Sequence, residues 1–418
     1  MCVAMVRFLA KGWVNELLVR PSFHFTYPGF SWVQPWPEFW MHAHVALLAV
    51  AALGIALGCF YRWCIALFFV GFTYLELIDQ ANYLNHYYLI SLICGLLLWM
   101  PAHRTLSIDA WRRPDLASGT TPRWTLLVLR FQVGLVYFFA GVAKINSDWL
   151  LEAQPLKIWL ASQETFPLIG SWLATPWAAY AASWFGAVFD LSVVFFLLAR
   201  RTRPWAYALL VLFHVTTGVL FPIGMFPWIM AASATVFFSP SWPRWFLPAN
   251  RKAVSGSQTE GGLRSCWSWA ILGVYLLWQL LFPLRGLFQP GPIGWTYQGF
   301  NFAWRVMIVE KAGHVEFTLR DPQSSRTWKV RNRDHLTPYQ ERLMAQDPEM
   351  IRAFAAHLAG TASLQGTEQL EVRARAYATL NGRPSQLLID PSLDLASPDL
   401  GSYILPLRPN SLVARQGK

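Results

Sequence analysis

Apolar residues occur along this chain in long continuous blocks, separated by short polar stretches. Each block holds about 16 to 23 residues, and a helix that crosses a bilayer needs roughly 20. The blocks are residues 41–60, 63–80, 86–101, 124–144, 177–199, 205–221, 223–239 and 266–284. The pattern therefore predicts a mainly α-helical, polytopic transmembrane bundle with about eight spans.

The basic residues favour one side of this predicted bundle. They concentrate in the loops that follow the first, third, fifth and seventh blocks. These residues are Arg62, Arg104, Arg112, Arg113, Arg123, Arg200, Arg201, Arg203, Arg244, Arg251, Lys252 and Arg264. If every block spans the membrane, the four loops share one side, and an excess of arginine and lysine marks the cytoplasmic side. We therefore expect the N-terminus and everything after Pro283 to face the non-cytoplasmic side.

After Gly291 the pattern changes to short runs in which apolar and polar residues alternate. Such runs, bounded by turn residues, are typical of β-strands. The predicted strands are residues 302–310, 314–320, 326–331, 369–380 and 385–389. The last two are expected to form a hairpin, because Asn381-Gly382 between them is a strong turn signal.

One helix is predicted within this region, from Thr337 to Leu358, with Thr337 as N-cap and Pro338 in the first turn. The chain thus divides into a transmembrane helical domain, residues 1–290, and a small α+β domain, residues 291–418. The topology predicts that this second domain is extramembrane and faces outward.

Composition supports a membrane protein and excludes other classes. Only 14% of the 418 residues are charged, against about 25% in soluble domains. The 23 tryptophans suit aromatic belts at the two membrane surfaces. The net charge of +11 comes without an aromatic base-stacking pattern, so we expect the lipid bilayer, and no nucleic acid, as a partner. The five cysteines show no CxxC and no metal-binding spacing with histidine, so no metal site is predicted.

The apolar run from Val133 to Val142 leads to a single lysine, Lys144. A cation at the end of such a segment either anchors the helix at the interface or serves in chemistry. Burial disfavours the ammonium form, so a buried lysine can act as a neutral general base near pH 7. A lipophilic acid such as a quinol suits this base. Both interpretations of Lys144 remain open on this evidence.

Other polar residues fall in or beside the apolar blocks. Those near the predicted outer surface are Glu76, Asp79, Asn82, Asn85, His86 and His214, and those expected deeper are Arg130 and Asp190. Ionisable groups in spans rarely face lipid, so we expect them to face one another or water. The simpler alternatives are a packing role for His214, a helix-capping role for His86, and a structural Glu76–Arg130 ion pair.

Four collinear stretches resemble the vitamin K-dependent γ-carboxylase family. Residues 136–149, VYFFAGVAKINSDW, resemble the family's VYFxAGVxK…DW stretch. Residues 213–243 contain FH, LFPIGMF and SPSWP, similar to its FH…LFxIGMF…SPxWP. Residues 85–89, NHYYL, resemble its NHxYL element, and residues 295–307 resemble a fourth block.

The resemblance implies a reaction. The family oxygenates vitamin K hydroquinone to the epoxide and uses that energy to carboxylate glutamate side chains at Cγ, consuming O2 and CO2. By position, it implies that Lys144 is the base that deprotonates the hydroquinone, that His86 assists there, and that His214 belongs to the carboxylation centre or its support. The implied cofactor-binding residues are Trp295, Phe300, Trp304 and Met307.

The resemblance also implies the partners, and two rival functions remain open. The co-substrate is expected to be vitamin K hydroquinone or menaquinol, and the partner a glutamate-containing protein or peptide. The chain departs from the animal enzymes at Ala143, where they have a second lysine, and at Arg305, where they have an acidic residue. The first rival is therefore a quinol epoxidase or oxidase without peptide carboxylation. The second is a non-enzymatic transporter or scaffold, which predicts that Lys144→Ala leaves function intact.

Overall fold

The computed structural model describes residues 1–243, 266–364, 370–398 and 400–408. Its larger part is a helical bundle. The helices are α1 (Cys2–Ala10), α2 (Glu38–Leu57), α3 (Tyr61–Ile78), α4 (Asn85–Trp99), α5 (Ile108–Arg112), α6 (Arg123–Ala143), α7 (Ser147–Leu150), α8 (Leu156–Ala161), α9 (Gly170–Leu173), α10 (Pro176–Leu198), α11 (Arg203–Leu220), α12 (Phe226–Ser233) and α13 (Cys266–Leu281). Short 3-10 helices continue two of these, at Ala234–Phe237 and Phe282–Phe288. Every predicted apolar block lies on a helix of this bundle.

Five of the described helices are long and apolar enough to cross a membrane: α2, α3, α6, α10 and α13 with its continuation to Phe288. The prediction of about eight spans is therefore not confirmed. Helix α4 has 15 residues and α12 has 8. Helix α11 has 18 residues, but Arg203 at its start and His214 in its second half reduce its hydropathy.

The loops after the first and third apolar blocks meet at one end of the bundle. There the Asp109 carboxylate accepts hydrogen bonds from the backbone N–H groups of Phe60 and Tyr61, each at 2.9 Å. Arg244, Arg251, Lys252 and Arg264, in the loop after the seventh block, lie outside the described residues. Arg130 donates to the carbonyls of residues 236–238 at 2.9 to 3.1 Å. The alternative of a Glu76–Arg130 ion pair is wrong, because these carbonyls hold the guanidinium.

The opposite end of the bundle contacts the C-terminal domain. Arg383 donates both terminal nitrogens to Asp148 at 2.6 Å each. At a second contact, Gln340 donates to Asp79 at 2.7 Å, and His24 lies 3.2 Å from the same carboxylate. The C-terminal domain therefore sits on the end of the bundle away from the arginine-rich loops.

This domain is an antiparallel sheet in the order β2-β1-β3-β4, with helices packed on one face. Its strands are β1 (Lys311–Arg320), β2 (Thr327–Lys329), β3 (Glu371–Leu380) and β4 (Gln386–Leu387), and its helices are α14 (Ile293–Thr296), α15 (Pro338–Met344) and α16 (Pro348–Leu364). The core between sheet and helices includes Phe317 and Phe354, both fully buried. The predicted Asn381-Gly382 turn is confirmed, with φ of 49° and 78°.

The predicted strand at residues 302–310 is wrong. Phe302, Trp304 and Met307 have φ of 59°, 55° and 52°, and this left-handed conformation is incompatible with an extended strand. The segment packs on the membrane bundle instead, where the Tyr83 hydroxyl accepts a hydrogen bond from Phe302 N at 2.8 Å. The apolar residues that suggested a strand therefore contact helices of the bundle instead of forming one face of a sheet.

The single helix predicted from Thr337 is also wrong in its length. Its start is confirmed, because Thr337 and Gln340 form a reciprocal capping box at the beginning of α15. The helix stops at Met344 and a second one begins at Pro348. Proline has no backbone N–H and disfavours helical conformation in the residue before it, so the chain restarts there.

Candidate active site

Lys144 follows the last residue of α6, and its amine lies inside the bundle. Nζ donates to Asp190 Oδ2 at 2.7 Å and to Ala140 O at 3.2 Å, and lies 5.1 Å from the centre of the Trp149 ring. Only 6% of the Lys144 side chain and 7% of the Asp190 side chain are exposed. The Lys144 amine is therefore enclosed by protein, whereas an anchoring lysine would extend its amine to the protein surface.

The pair forms because α6 and α10 approach closely beside it. A Cβ on Gly141 would lie 2.7 Å from Leu191 Cγ and 2.9 Å from Leu191 N, so a larger residue would push the helices apart. The first half of α10 packs on α7, α8 and α9, beyond the end of α6. Its middle therefore lies opposite Gly141, and the Lys144 amine reaches back along α6 to Ala140 to meet Asp190.

The carboxyl of Asp190 changes what the amine can do. The sequence predicts a lysine kept from solvent, and the structure adds an acid 2.7 Å away. The ammonium–carboxylate and amine–carboxylic acid forms of this pair have the same total charge and differ in the position of one proton. Apolar surroundings narrow the energy gap between the two forms, because they penalise separated charges. An internal proton transfer can therefore present a free amine without changing the charge of the bundle.

His214 lies beside this pair, on α11. Its Nε2 is 2.8 Å from the hydroxyl of Tyr137, which lies on the same helix as Lys144. Only 2% of His214 is exposed, and its Nδ1 has no hydrogen-bond partner in the described part of the chain. The packing interpretation accounts for Nε2 but leaves Nδ1 as a buried polar atom that requires a partner.

Lys144, Asp190, Tyr137 and His214 line one cavity of about 300 Å³, which we call the Lys144 chamber. Most of its remaining walls are apolar. These walls include Val136, Leu156, Trp159, Leu160, Phe185, Leu212, Phe213, Leu220, Phe221, Phe226, Met230, Val306 and Met307. Its volume is at the lower end of the range of small-molecule sites, about 300 to 1,000 Å³. The chamber suits a lipophilic ligand with an acidic hydroxyl group.

Two family models match the chain. The HTTM domain matches residues 1–242, and the vitamin K-dependent gamma-carboxylase lumenal domain matches residues 264–408. The chain belongs to the vitamin K-dependent γ-carboxylase family. No solved structure matches it. Membership indicates a membrane protein with a vitamin K-dependent carboxylase-like function and a non-cytoplasmic C-terminal domain.

In this γ-carboxylase family member, His86 lies in a neighbouring cavity of about 380 Å³. That cavity shares the side chains of Phe226, Val306 and Met307 with the Lys144 chamber. The centre of the Phe226 ring lies 5.9 Å from that of the His86 ring and 5.7 Å from that of the His214 ring, so Phe226 neighbours both histidines. The capping alternative for His86 finds no support, since Leu84 is the N-cap of α4 and no described side chain caps it.

Two of the four residues predicted to bind the quinone lie close together on the irregular segment. Met307 lines both the Lys144 chamber and the His86 cavity. Trp304 is fully buried and stacks on Tyr88, with ring centres 5.0 Å apart. Trp304 therefore fixes the segment against α4, and Met307 presents its side chain to the chamber.

The other two predicted residues contact protein rather than the chamber. Phe300 stacks on Tyr297, with ring centres 4.8 Å apart, and packs into the cluster around Trp149. Trp295 lies in the core of the C-terminal domain and donates its Nε1 to Leu405 O at 2.8 Å. Through these contacts, Phe300 and Trp295 hold the segment that carries Met307.

Trp295 also borders a buried lysine that the sequence analysis missed. Lys311, the first residue of β1, donates to Trp295 O, and its Nζ lies 4.4 Å from the centre of the Tyr297 ring. Burial lowers the pKa of the Lys311 amine to about 7. Burial also raises the pKa of the Asp347 carboxyl to about 6. These two groups make the stability of the domain depend on pH.

Sequence reasoning missed Tyr137, and it marked Asp190 as a polar residue of the bundle without pairing it with Lys144. Tyr137 falls within the stretch that resembles the family, seven residues before Lys144 and therefore on the same helical face. Asp190 is a lone acid in an apolar block, which marks it as functional. Its pairing with Lys144 is visible only in the structure, where the middle of α10 lies beside the end of α6.

Proposed function

We propose that this protein is a quinol-driven glutamyl γ-carboxylase with coupled epoxidase activity. Its co-substrates are vitamin K hydroquinone or menaquinol, O2 and CO2, and its partner is a glutamate-containing protein or peptide. The observation that carries the proposal is the buried Lys144–Asp190 pair in an apolar chamber that also holds His214. Family membership supports the class of reaction.

The residues of the chamber fit the ring of a quinol. An apolar wall suits the ring, the amine can accept a hydroxyl proton, and the unpartnered His214 Nδ1 can bond to an oxygen. The quinol, when bound, supplies the electrons that reduce O2, with one oxygen atom entering the epoxide and the other leaving as water. Addition of CO2 replaces the Cγ proton of glutamate by a carboxylate.

Lys144 is the base in this proposal, and Asp190 prepares it. Transfer of the shared proton to Asp190 across 2.7 Å gives a neutral amine. The amine then takes the hydroxyl proton, and the resulting ammonium group lies beside the negative charge that forms. The apolar walls exclude water, which strengthens this attraction and protects a strong base from protonation.

His86 and Met307 support the site from the neighbouring cavity. Met307 borders both cavities, and His86 assists across Phe226. Trp295, Phe300 and Trp304 hold the segment that carries Met307. The C-terminal domain faces the non-cytoplasmic side in this proposal, so the glutamate substrate approaches from there.

The test uses the full chain in nanodiscs with vitamin K hydroquinone, O2, radiolabelled bicarbonate and a short glutamate peptide. Wild type is expected to form epoxide and to label the peptide, and Lys144→Ala is expected to do neither. A matched control is Lys157→Ala, since Lys157 bonds to Tyr180 outside the chamber. Epoxide without peptide label would favour an epoxidase alone. Equal epoxide formation by wild type and Lys144→Ala would refute the role of Lys144.

A further inference from the structure

A second cavity, larger than the Lys144 chamber, lies along α4. It has a volume of about 650 Å³ and is bounded by α3, α4 and α13, with Tyr27 and Phe302 at its outer end. We call it the Glu76 groove. Its lining follows α4 from Tyr88 to Trp99, which corresponds to about 17 Å along a helix. The groove is therefore long enough for a lipid tail.

Four polar groups of this groove lack partners, whereas its tyrosines Tyr83, Tyr88 and Tyr275 are hydrogen-bonded. The carboxyl of Glu76 has no hydrogen bond or ion pair within the described ranges, although it lies on a membrane-length helix. The hydroxyls of Thr73 and Ser91 and the indole N–H of Trp124 are buried and also unpartnered there. All four residues line the same groove. Unsatisfied polar groups in an apolar setting are costly, so their clustering indicates a ligand that supplies the missing bonds.

The chemistry of the lining selects the kind of lipid. Among the described residues, no lysine or arginine lines the groove, whereas Glu76 does. A phosphate head group would lie beside a carboxyl without a counter-ion, which disfavours a phospholipid. Aromatic rings of Tyr27, Tyr83, Tyr88 and Phe302 surround the outer end. A neutral aromatic head with hydroxyl donors fits this end, and a single isoprenoid tail fits the remainder.

One segment of the chain links the groove to the Lys144 chamber. Phe302 lines the groove, and Met307, five residues later, lines the chamber. Between them, Trp304 stacks on Tyr88, which itself lines the groove. We propose that the Glu76 groove is a second binding site for the isoprenoid quinol, with the head hydroxyl bonded to Glu76 and the tail lying along α4. The identity of this lipid rests on the proposed function.

The test maps the site of binding directly. The full chain in phosphatidylcholine nanodiscs is incubated with a menaquinol analogue that carries a photoreactive diazirine near the end of its tail. We expect adducts on peptides that contain residues 91–99 and 268–275, and loss of these adducts when excess menaquinol is added. The quinol dimethyl ether, which has lost its donors, should compete roughly tenfold less well.

Two variants and two controls separate this site from the chamber. Glu76→Leu is expected to raise the concentration of quinol analogue that gives half-maximal labelling of the groove by roughly tenfold. Glu16→Leu, which removes an exposed carboxyl in an adjacent cavity, should leave it unchanged. Ser91→Phe should reduce labelling by filling the groove. Lys144→Ala should abolish turnover and leave groove labelling intact, so failure of the proposed reaction is distinguishable from failure of this site.

Three results would overturn the inference. The first is labelling confined to chamber peptides, such as those with residues 209–221. The second is equal competition by menaquinol and its dimethyl ether, a comparison that uses wild-type protein and does not depend on the folding of any variant. The third is equal labelling of the groove by a photoreactive phosphatidylcholine, which would make it a general acyl-chain site.

Discussion

Replacing Asp190 by asparagine is expected to destabilise the protein by about 3 to 5 kcal/mol, because the Lys144 ammonium would be buried without a counter-ion. The two side chains are 6% and 7% exposed, so solvent can replace little of the lost interaction. The asparagine keeps the volume and one acceptor oxygen, which limits the change mainly to charge. Lys144→Met leaves the reverse defect, an unpaired Asp190, and is expected to cost a similar amount.

The assay is a double-mutant cycle on the purified protein in detergent. The free energy of unfolding is measured for Asp190→Asn, Lys144→Met and the combination of the two. The double variant should recover most of the loss, because it leaves no buried charge. Lys157→Met is the matched control, since Lys157 is a half-buried lysine bonded to a tyrosine hydroxyl, and it should cost under about 1 kcal/mol.

The measured losses of stability show whether the Lys144–Asp190 pair is ionic in the resting protein. If Asp190→Asn costs less than about 1 kcal/mol, Lys144 does not depend on a negative partner, and the pair is not ionic in the resting protein. Additive losses in the double variant would likewise contradict a direct interaction between the two side chains. All three variants should lose epoxidation whatever their stability.

Three further predictions test packing and electrostatics elsewhere. Gly141→Val should lower stability by about 1 to 3 kcal/mol and reduce turnover, since it separates α6 from α10. Gly273→Ala, with nothing within 4 Å of the added methyl group, is its control, and equal melting temperatures would contradict the packing argument. Arg383→Gln should speed amide exchange at the domain junction by breaking the bidentate bond to Asp148, and unchanged exchange would show that other contacts suffice. Lys311→Met should abolish the rise in stability of the C-terminal domain between about pH 7 and 10.

The sign of this pH effect follows from the protons bound in each state. Burial lowers the pKa of Lys311 from 10.5 to about 7, so within that window the unfolded chain holds a proton that the folded domain lacks. Stability therefore rises with pH there, by at most about 1.4 kcal/mol per unit. Burial raises the pKa of Asp347 from 3.8 to about 6, so stability falls as pH rises across that lower window. Denaturant unfolding across this pH range should find the lowest stability between the two windows, and a monotonic curve would contradict this reasoning.

The sequence correctly predicted those parts of the fold that depend on residues close together in the chain. The apolar blocks all lie on helices, Thr337 caps α15, and Asn381-Gly382 turns the chain between β3 and β4. Each of these features depends on neighbours in sequence. The strand prediction for segment 302–310 is wrong because the apolar residues of this segment contact the bundle, so their spacing has no relation to the two-residue period of a strand.

The sequence by itself determined that the chain is a helical membrane protein with a small C-terminal sheet domain, and its motifs determined the family. It also marked Lys144, His214 and Asp190, because an ionisable group in an apolar segment is costly unless it has a partner. Only the tertiary structure decided which partner each group has. The offset between α6 and α10 gives Lys144 its acid, and the path of the segment after Trp295 places Met307 in the chamber while Trp295 lies in a core. These placements depend on how helices pack across many residues of separation, and that information is not present in any local pattern.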